Sequence, residues 1–401
     1  TAQLIQVDNG FHLWSETYDR EMIDVFAIQD DISLAITRAL EAEVGTGNRA
    51  ANQKPTDNLE ANQLYIQARY LLAERVGDNL IKSEELFEQA TRLDPDFSQA
   101  WSGMAFANAL IPAYTLKIST SDAYERALES AQNAIRIEPD NPEAHMALGR
   151  ISARANLNIR AGREYFAKAY QLAPNNADIV NIYGDFLALI GNFSEALIIE
   201  SRAIELDPLA AVHHSDLAFL FLMLNRNEEA LESARTSVSL APDSVDRHDA
   251  YVASLILLGR YEEATEVIYK VENTLDADPG MLTSWKAMLY FHQGDRENLR
   301  KTLNERMEIV KNGNNLSFPT ITAFYLAWLD GVEAAIPLLQ EAYHQREHLL
   351  VWPEYFYLPE DVSDNPEWIA FWKQPGLDEL IEVRRVFGPY ERIGYWNPRL
   401  N

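Results

Sequence analysis

Arg150 and Arg154 stand four residues apart, a spacing that places two guanidiniums one above the other on a helix face. In a chain with 61 acidic and 34 basic residues, such a pair could clamp a carboxylate. The competing reading is that each pairs with an aspartate or glutamate on a neighbouring helix, an exposed ion pair of that kind contributing only ~0–1 kcal/mol. His213 and His214 are adjacent, hence ~100° apart around a helix, and His248 lies about one repeat further on; no metal site is expected from them. Carboxylate pairs at i, i+4 arise by chance at this acidity, and without a pocket to separate their pKa values they define no general acid and base. A glycine-rich phosphate loop, a G-x-S-x-G elbow and an H-E-x-x-H helix are all missing. The expectation is a non-enzyme with no catalytic residue, no metal and no cofactor. Tyr355-Phe356-Tyr357 and Trp396 could stack on a sugar or base, but packing and end-capping account for them better.

The elements that would position such residues are set by composition and repetition. With 401 residues, 47% hydrophobic and 24% charged, the chain is folded rather than disordered and too long for one compact core. A net charge of -27 opposes binding to phosphate backbones or anionic lipid. Cysteine is absent, which removes disulfides, thiolate metal sites and cysteine nucleophiles and leaves the compartment open. No run approaches the ~20 apolar residues of a membrane helix, so neither nucleic acid nor membrane insertion is expected of this segment. The chain opens on Thr1, in what reads as a strand already under way, as an excised or processed piece would.

A phrase ending in proline recurs at Pro95, Pro139, Pro174, Pro208 and Pro242, with steps of 44, 35, 34 and 34. Proline stops a helix, lacking a backbone donor and disfavouring helix before it, and 34 residues is the length of a tetratricopeptide unit. Within one unit Val180, Tyr183 and Leu187 surround Gly184 on a first helix; Gly191-Asn192-Phe193-Ser194-Glu195-Ala196 turns the chain into a second carrying Ala196, Ile199, Ala203 and Ile204. Gly259 to Ala264 and Asn225 to Ala230 repeat the turn. The first step of 44 places a ten-residue inserted loop around Ile111 to Thr120. Trp285, Met288 and Leu289 open a seventh unit, and Ala323, Ala327, Gly331 and Ala342 an eighth. The fold expected is all-α, a right-handed α-α superhelix.

The two ends depart from this pattern. Leu4-Ile5-Gln6-Val7 and Phe11-His12-Leu13-Trp14 flank Asp8-Asn9-Gly10 as a β-hairpin, and Val25 to Leu40 carries an apolar helical stripe. The expected divisions are 1–44, hairpin plus helix; 45–58, a polar linker; 59–350, about eight helical pairs; and 351–401, an aromatic-rich cap in which 367–386 is helical.

Gly10-Phe11-His12-Leu13-Trp14-Ser15-Glu16, Tyr18-Asp19-Arg20 and Phe26-Ala27-Ile28-Gln29-Asp30, followed by the repeats and by Phe371-Trp372-Lys373-Gln374-Pro375-Gly376-Leu377, make the chain resemble the carboxy-terminal part of bacterial multidomain signalling proteins. In these a TolB-like domain precedes tetratricopeptide repeats. The resemblance implies that 1–44 closes a TolB-like domain. It implies a winged-helix or nucleotide cyclase effector domain elsewhere in the protein, and a bacterial cytoplasmic or periplasmic location with the periplasm favoured. It carries over no catalytic residue.

The same family geometry lines a concave surface with first helices. It assigns Phe106, Arg150, Arg154, Asn181, Asp185, Phe219, Met223 and Asp249 to that surface, a mixture of apolar anchors and hydrogen-bonding groups suited to a peptide. The function expected is a protein-interaction scaffold with a protein or peptide partner. The alternatives are a regulatory sensor that binds a peptide or small ligand for an effector domain, and self-association as a homodimer.

Overall fold

The computed structural model describes residues 2–5, 12–16, 56–115, 117–312, 319–351, 362 and 364–386. They fall into two units, 1–59 and 60–401. In the first, β1 (Ala2–Ile5) pairs antiparallel with β2 (His12–Glu16), Leu4 opposite Trp14 and Ile5 opposite His12, with a bulge between Leu4 and Ile5. The Asp8-Asn9-Gly10 turn, the 25–40 helix, residues 45–55 of the linker, Tyr355-Phe356-Tyr357 and Trp396 lie outside the described residues.

Among the described residues the second unit is helical and is built of consecutive antiparallel pairs. They are α1 (Leu59–Glu74) with α2 (Gly77–Leu93), α3 (Ser98–Tyr114) with α4 (Thr120–Ile137), α5 (Pro142–Arg150) with α6 (Ile159–Leu172), and α7 (Ala177–Leu189) with α8 (Phe193–Leu206). After them come α9 (Ala211–Met223) with α10 (Asn227–Leu240), α11 (His248–Leu257) with α12 (Tyr261–Thr274), α13 (Pro279–Gln293) with α14 (Arg296–Asn312), and α15 (Pro319–Asp330) with α16 (Val332–Gln345). The pairs stack as a right-handed α-α superhelix.

Local chemistry explains the punctuation. Second helices end just before the recurring prolines, and Asn141 and Asn176 start the next pairs by accepting from the amides of Ala144 and Ile179, as Asn158 does at the start of α6 from Ala161, which satisfies donors the first turn leaves open. At three of the five prolines the residue at Pro+6 closes the same corner from the other side. Trp101 Nε1 donates to the Pro95 carbonyl at 2.9 Å, and the ring Nε2 atoms of His145 and His214 meet the Pro139 and Pro208 carbonyls at 3.0 Å. Between the helices of a pair the chain turns through one left-handed residue, Gly191, Asn225, Gly259, Gly294 or Gly331, where glycine has no Cβ penalty. At two equivalent turns the residue is bulky: Arg75 (φ 48°) and Leu157 (φ 49°).

Alanines fill the crossings: Ala68, Ala90, Ala127, Ala203, Ala234 and Ala264 are all fully buried. Gly103 brings α3 onto Phe87, where a Cβ would stand 2.5 Å from Cζ and 2.7 Å from Cε1. The ten-residue insertion extends helices rather than forming a loop. α3 continues through Pro112 to Tyr114 and α4 begins at Thr120, so the added length keeps its backbone hydrogen bonds inside the two helices. In α5 the helix passes into a π-helical turn, Ile151–Ala155.

The C-terminal aromatic segment forms two short helices, α17 (Pro366–Phe371) and α18 (Leu377–Val386), rather than one. α17 sets Trp368 edge-on to Phe324 of α15, with ring centroids 5.2 Å apart at 88°. α18 reaches further back: Arg384 Nε donates to the Leu189 carbonyl at 2.7 Å, Glu379 accepts from the Arg160 amide at 3.1 Å, and Gly376 lies directly against Leu157. The tail therefore joins the last pair to the third and fourth.

Gly103→Ala is expected to cost about 1–3 kcal/mol, the cost of overpacking a filled interior, because the Phe87 ring must move. Urea unfolding followed by circular dichroism measures it, and a change below ~0.5 kcal/mol would show that the ring has room to give.

Candidate functional site

The first helices from the second pair to the eighth, with the α1–α2 turn, surround a cavity of about 290 Å³, near the lower end of the volumes that hold small ligands. Leu110, Ile182, Phe219, Met223, Leu257 and Met288 give it an apolar wall. Its polar floor carries Arg75, Arg150, Arg247, Asp185, Glu200, Asp216, Asp246 and Asp249.

Arg75 organises this floor. Its left-handed turn directs the side chain inward, where it is 1% exposed. Nη2 donates to Asp178 at 2.8 Å and Nη1 to Asn181 at 2.9 Å, with Asp216 at 3.7 Å. The guanidinium also lies 5.7 Å from the Phe106 ring centroid. Asn181 turns its amide the other way, donating to Glu200 at 2.8 Å and Asp216 at 3.1 Å. Arg247, from the 3-10 turn Val245–Arg247 ahead of α11, donates to the Arg75 carbonyl at 3.3 Å. Burial alone would raise the Asp178 carboxyl; the neighbouring His213 ring and the Arg75 and Arg69 guanidiniums hold it well below the usual carboxylate range.

The sequence-assigned residues separate into two groups. Arg150, Asp185, Phe219, Met223 and Asp249 line the cavity. Phe106 is 1% exposed and packed under Arg75, and Asn181 is fully buried within the floor. Arg154 is buried beside Asp185, Nη2 to Oδ2 2.8 Å, and Arg150 Nη1 lies 3.5 Å from the same oxygen. The two arginines do sit one above the other, but the carboxylate between them is the protein's own. Burial, with Arg154 adding repulsion, lowers the Arg150 guanidinium to about 10.

The histidines do not converge. His213 is buried 3.9 Å from Asp178, while His214 and His248 each meet a backbone carbonyl. Among the described residues no three His, Asp or Glu groups are arranged to hold a metal ion, and no helix is long and apolar enough to cross a membrane.

Sequence reasoning missed Arg75, Glu200, Asp216, Arg247 and Trp285. Arg75 had a readable signal, an arginine at a turn where other units carry glycine or asparagine. Trp285 donates from Nε1 to Asp249 at 2.7 Å. Burial pushes Glu200 and Asp216 up, and each carboxyl also faces like charge. Asp246 is pushed up to about 6 by withdrawal from water, with Arg247 opposing and Asp249 adding.

Two outcomes follow from this geometry. Arg75→Ala strands Asp178 and is expected to cost about 3–5 kcal/mol in urea unfolding, as loss of one partner of a buried pair does; a cost under ~1 kcal/mol would mean that the pair behaves as a surface one. Asp246 binds its proton more tightly folded than unfolded, so its contribution to stability falls as pH rises from about 4 to about 6 and stays lower above. Asp246→Asn should therefore raise Tm relative to wild type more at pH 7.5 than at pH 4.5. An equal difference at both values would refute the assignment.

The sequence model of the tetratricopeptide repeat matches residues 121–177 and 151–211. The candidate adenylate cyclase 3 of Rhizobium meliloti is 28% identical over 155 residues, 37% of this chain and 25% of that protein. Anaphase-promoting complex subunit 3 of Schizosaccharomyces pombe is 24% identical over 160 residues, 40% of this chain and 22% of that protein. The transcriptional regulator HilA of Salmonella typhimurium is 24% identical over 155 residues, 39% of this chain and 28% of that protein. The chain thus spans about a quarter of the length of these relatives. Among solved structures, the human IFIT1 dimer with m7Gppp-AAAA superimposes with a TM-score of 0.52 at 14% identity, covering 80% of this chain and 79% of that one, a likeness of fold alone. Residues 121–211 are tetratricopeptide repeats, set within a longer superhelix of helical pairs.

Proposed function

We propose that this chain is a protein-interaction module that takes a short segment of a partner polypeptide into the lumen of its superhelix, and that it serves a bacterial signalling protein. The observation that carries the reading is the cavity itself, apolar on one wall and charged on its floor, to which every helical pair contributes. Such a lining favours a few residues of an extended chain over a long helix. The α1–α2 turn occupies part of the lumen, and a volume of about 290 Å³ accommodates one or two side chains. The signalling context rests on the resemblance of the N-terminal hairpin and helix sequence to the end of a TolB-like domain. It is also supported by partial likeness to a candidate adenylate cyclase and a transcriptional regulator, the first named for the cyclase class of effector that the resemblance implies.

The second reading, a sensor that admits a small ligand, draws on the same lumen. The two differ in what occupies the cavity and agree on where it sits.

Phe219 is the half-buried aromatic of the apolar wall and lies on α9 at the centre of the array. Peptides selected by display on the whole chain should bind the Phe219→Ala variant at least ~tenfold more weakly than wild type, the loss expected of an aromatic anchor, with an unchanged circular dichroism spectrum. Selected peptides that bind both forms equally would move recognition off the lumen and end this reading.

A further inference from the structure

Five carboxyl side chains line the cavity, Asp185, Glu200, Asp216, Asp246 and Asp249, against three guanidiniums. The guanidiniums are already engaged: Arg75 by Asp178, Arg150 by Asp185, and Arg247 through its bond to the Arg75 carbonyl. The carboxylates are not engaged to the same degree. Asp216 has one cation at 3.7 Å, and among the described residues Glu200, Asp246 and Asp249 have none within ion-pair distance.

Glu200 is the most informative of these. It is 2% exposed, on the second helix of its pair, and reaches the lumen only because Gly184 of α7 has no side chain; a Cβ there would stand 2.6 Å from Oε1. Its Oε2 accepts from Asn181, and among the described residues no hydrogen bond reaches Oε1. A carboxylate buried this deeply costs several kcal/mol unless paired. The fold leaves its second oxygen unpaired at a cavity wall.

We propose that the lumen is a site for an organic cation, an alkylammonium or alkylguanidinium group whose charge meets Glu200 and Asp216 and whose apolar stem lies along Phe219, Met223 and Met288. The proposal rests on the lumen reading and names the chemistry it selects. A bare metal ion is a poor match because the carboxylates do not converge as chelating ligands. An anion is a poor match because Arg247, the guanidinium with the fewest bonds, stands among Asp216, Asp246 and Asp249. The same group is offered by a lysine or arginine side chain of a peptide and by a free aliphatic amine. Burial holds Glu200 and Asp216 toward their protonated forms, so an entering cation displaces protons.

The test is calorimetry on the whole chain in amine-free buffers of two different ionisation enthalpies, with n-hexylammonium, hexanoate and hexanol as probes. Binding of hexylammonium with release of protons is expected, together with no binding of hexanoate or hexanol. Glu200→Gln and Asp216→Asn, each near-isosteric and checked for folding by circular dichroism, should weaken binding at least ~tenfold, as loss of a charge-assisted hydrogen bond does. Asp140→Asn at an exposed site should leave it unchanged. A capped Leu-Lys-Leu peptide compared with its acetyl-lysine form then separates the sources: stronger binding than hexylammonium, lost on acetylation, assigns a side chain, and binding by the amine alone assigns a small metabolite. Hexanoate or hexanol binding as well as hexylammonium, or full affinity in both carboxyl variants, overturns the proposal. If hexylammonium fails while display-selected peptides still depend on Phe219, only the cation chemistry falls; if that dependence is also absent, the lumen reading falls with it.

Discussion

A guanidinium leaves water only where carboxylates and carbonyls replace its hydration shell, and the interior of this superhelix is arranged around that requirement. Arg75, turned inward by a left-handed residue, needs Asp178, Asn181 and Asp216 at fixed positions. Those residues lie on the fourth and fifth pairs, over a hundred positions along the chain. Satisfying it ties the α1–α2 turn to those two pairs, and Arg247, ahead of the first helix of the sixth pair, donates to the Arg75 carbonyl as well. Strain at one backbone position of the order of 1–2 kcal/mol is offset by a network that the residue alone completes.

The periodicity of proline, alanine and glycine made the helical pairs legible, because each of those residues acts locally. Proline ends a helix it cannot extend, alanine and glycine set how closely two helices approach, and a left-handed turn favours glycine. The inserted segment was legible as added length but not as helix. Pro112 within it looks like a break, yet its missing donor is tolerated inside α3. The family geometry also identified which helix of each pair faces inward, and Arg150, Asp185, Phe219, Met223 and Asp249 lie there.

The remainder of the site depends on what meets across the lumen, and no local pattern encodes that. Phe106 occupies an inward register but is roofed by Arg75 from another pair. Glu200 belongs to a second helix and enters the lumen past a glycine on its neighbour. Of the two readings of Arg150 and Arg154, a clamp for a ligand carboxylate or pairing with an acidic residue of a neighbouring helix, the structure shows the second, with Asp185 as the shared partner; a spacing of four specifies the stacking and is silent on the occupant. His214 turned out to be the counterpart of Trp101 and His145 at Pro+6, a structural role that alignment of the units alone could have shown.

An array of repeats is ordinarily a one-dimensional object: each unit is stabilised by its neighbours, and the ends fray independently of the middle. α18 changes that connectivity by bonding Arg384 to the Leu189 carbonyl and seating Gly376 on Leu157. Peeling the last pair away now means breaking contacts with the third and fourth as well, so the free energy of opening is shared around a loop rather than concentrated at a terminus. The tail thus ties the end of the stack back to its middle, linking the last pair to the third and fourth by contacts that a linear array lacks.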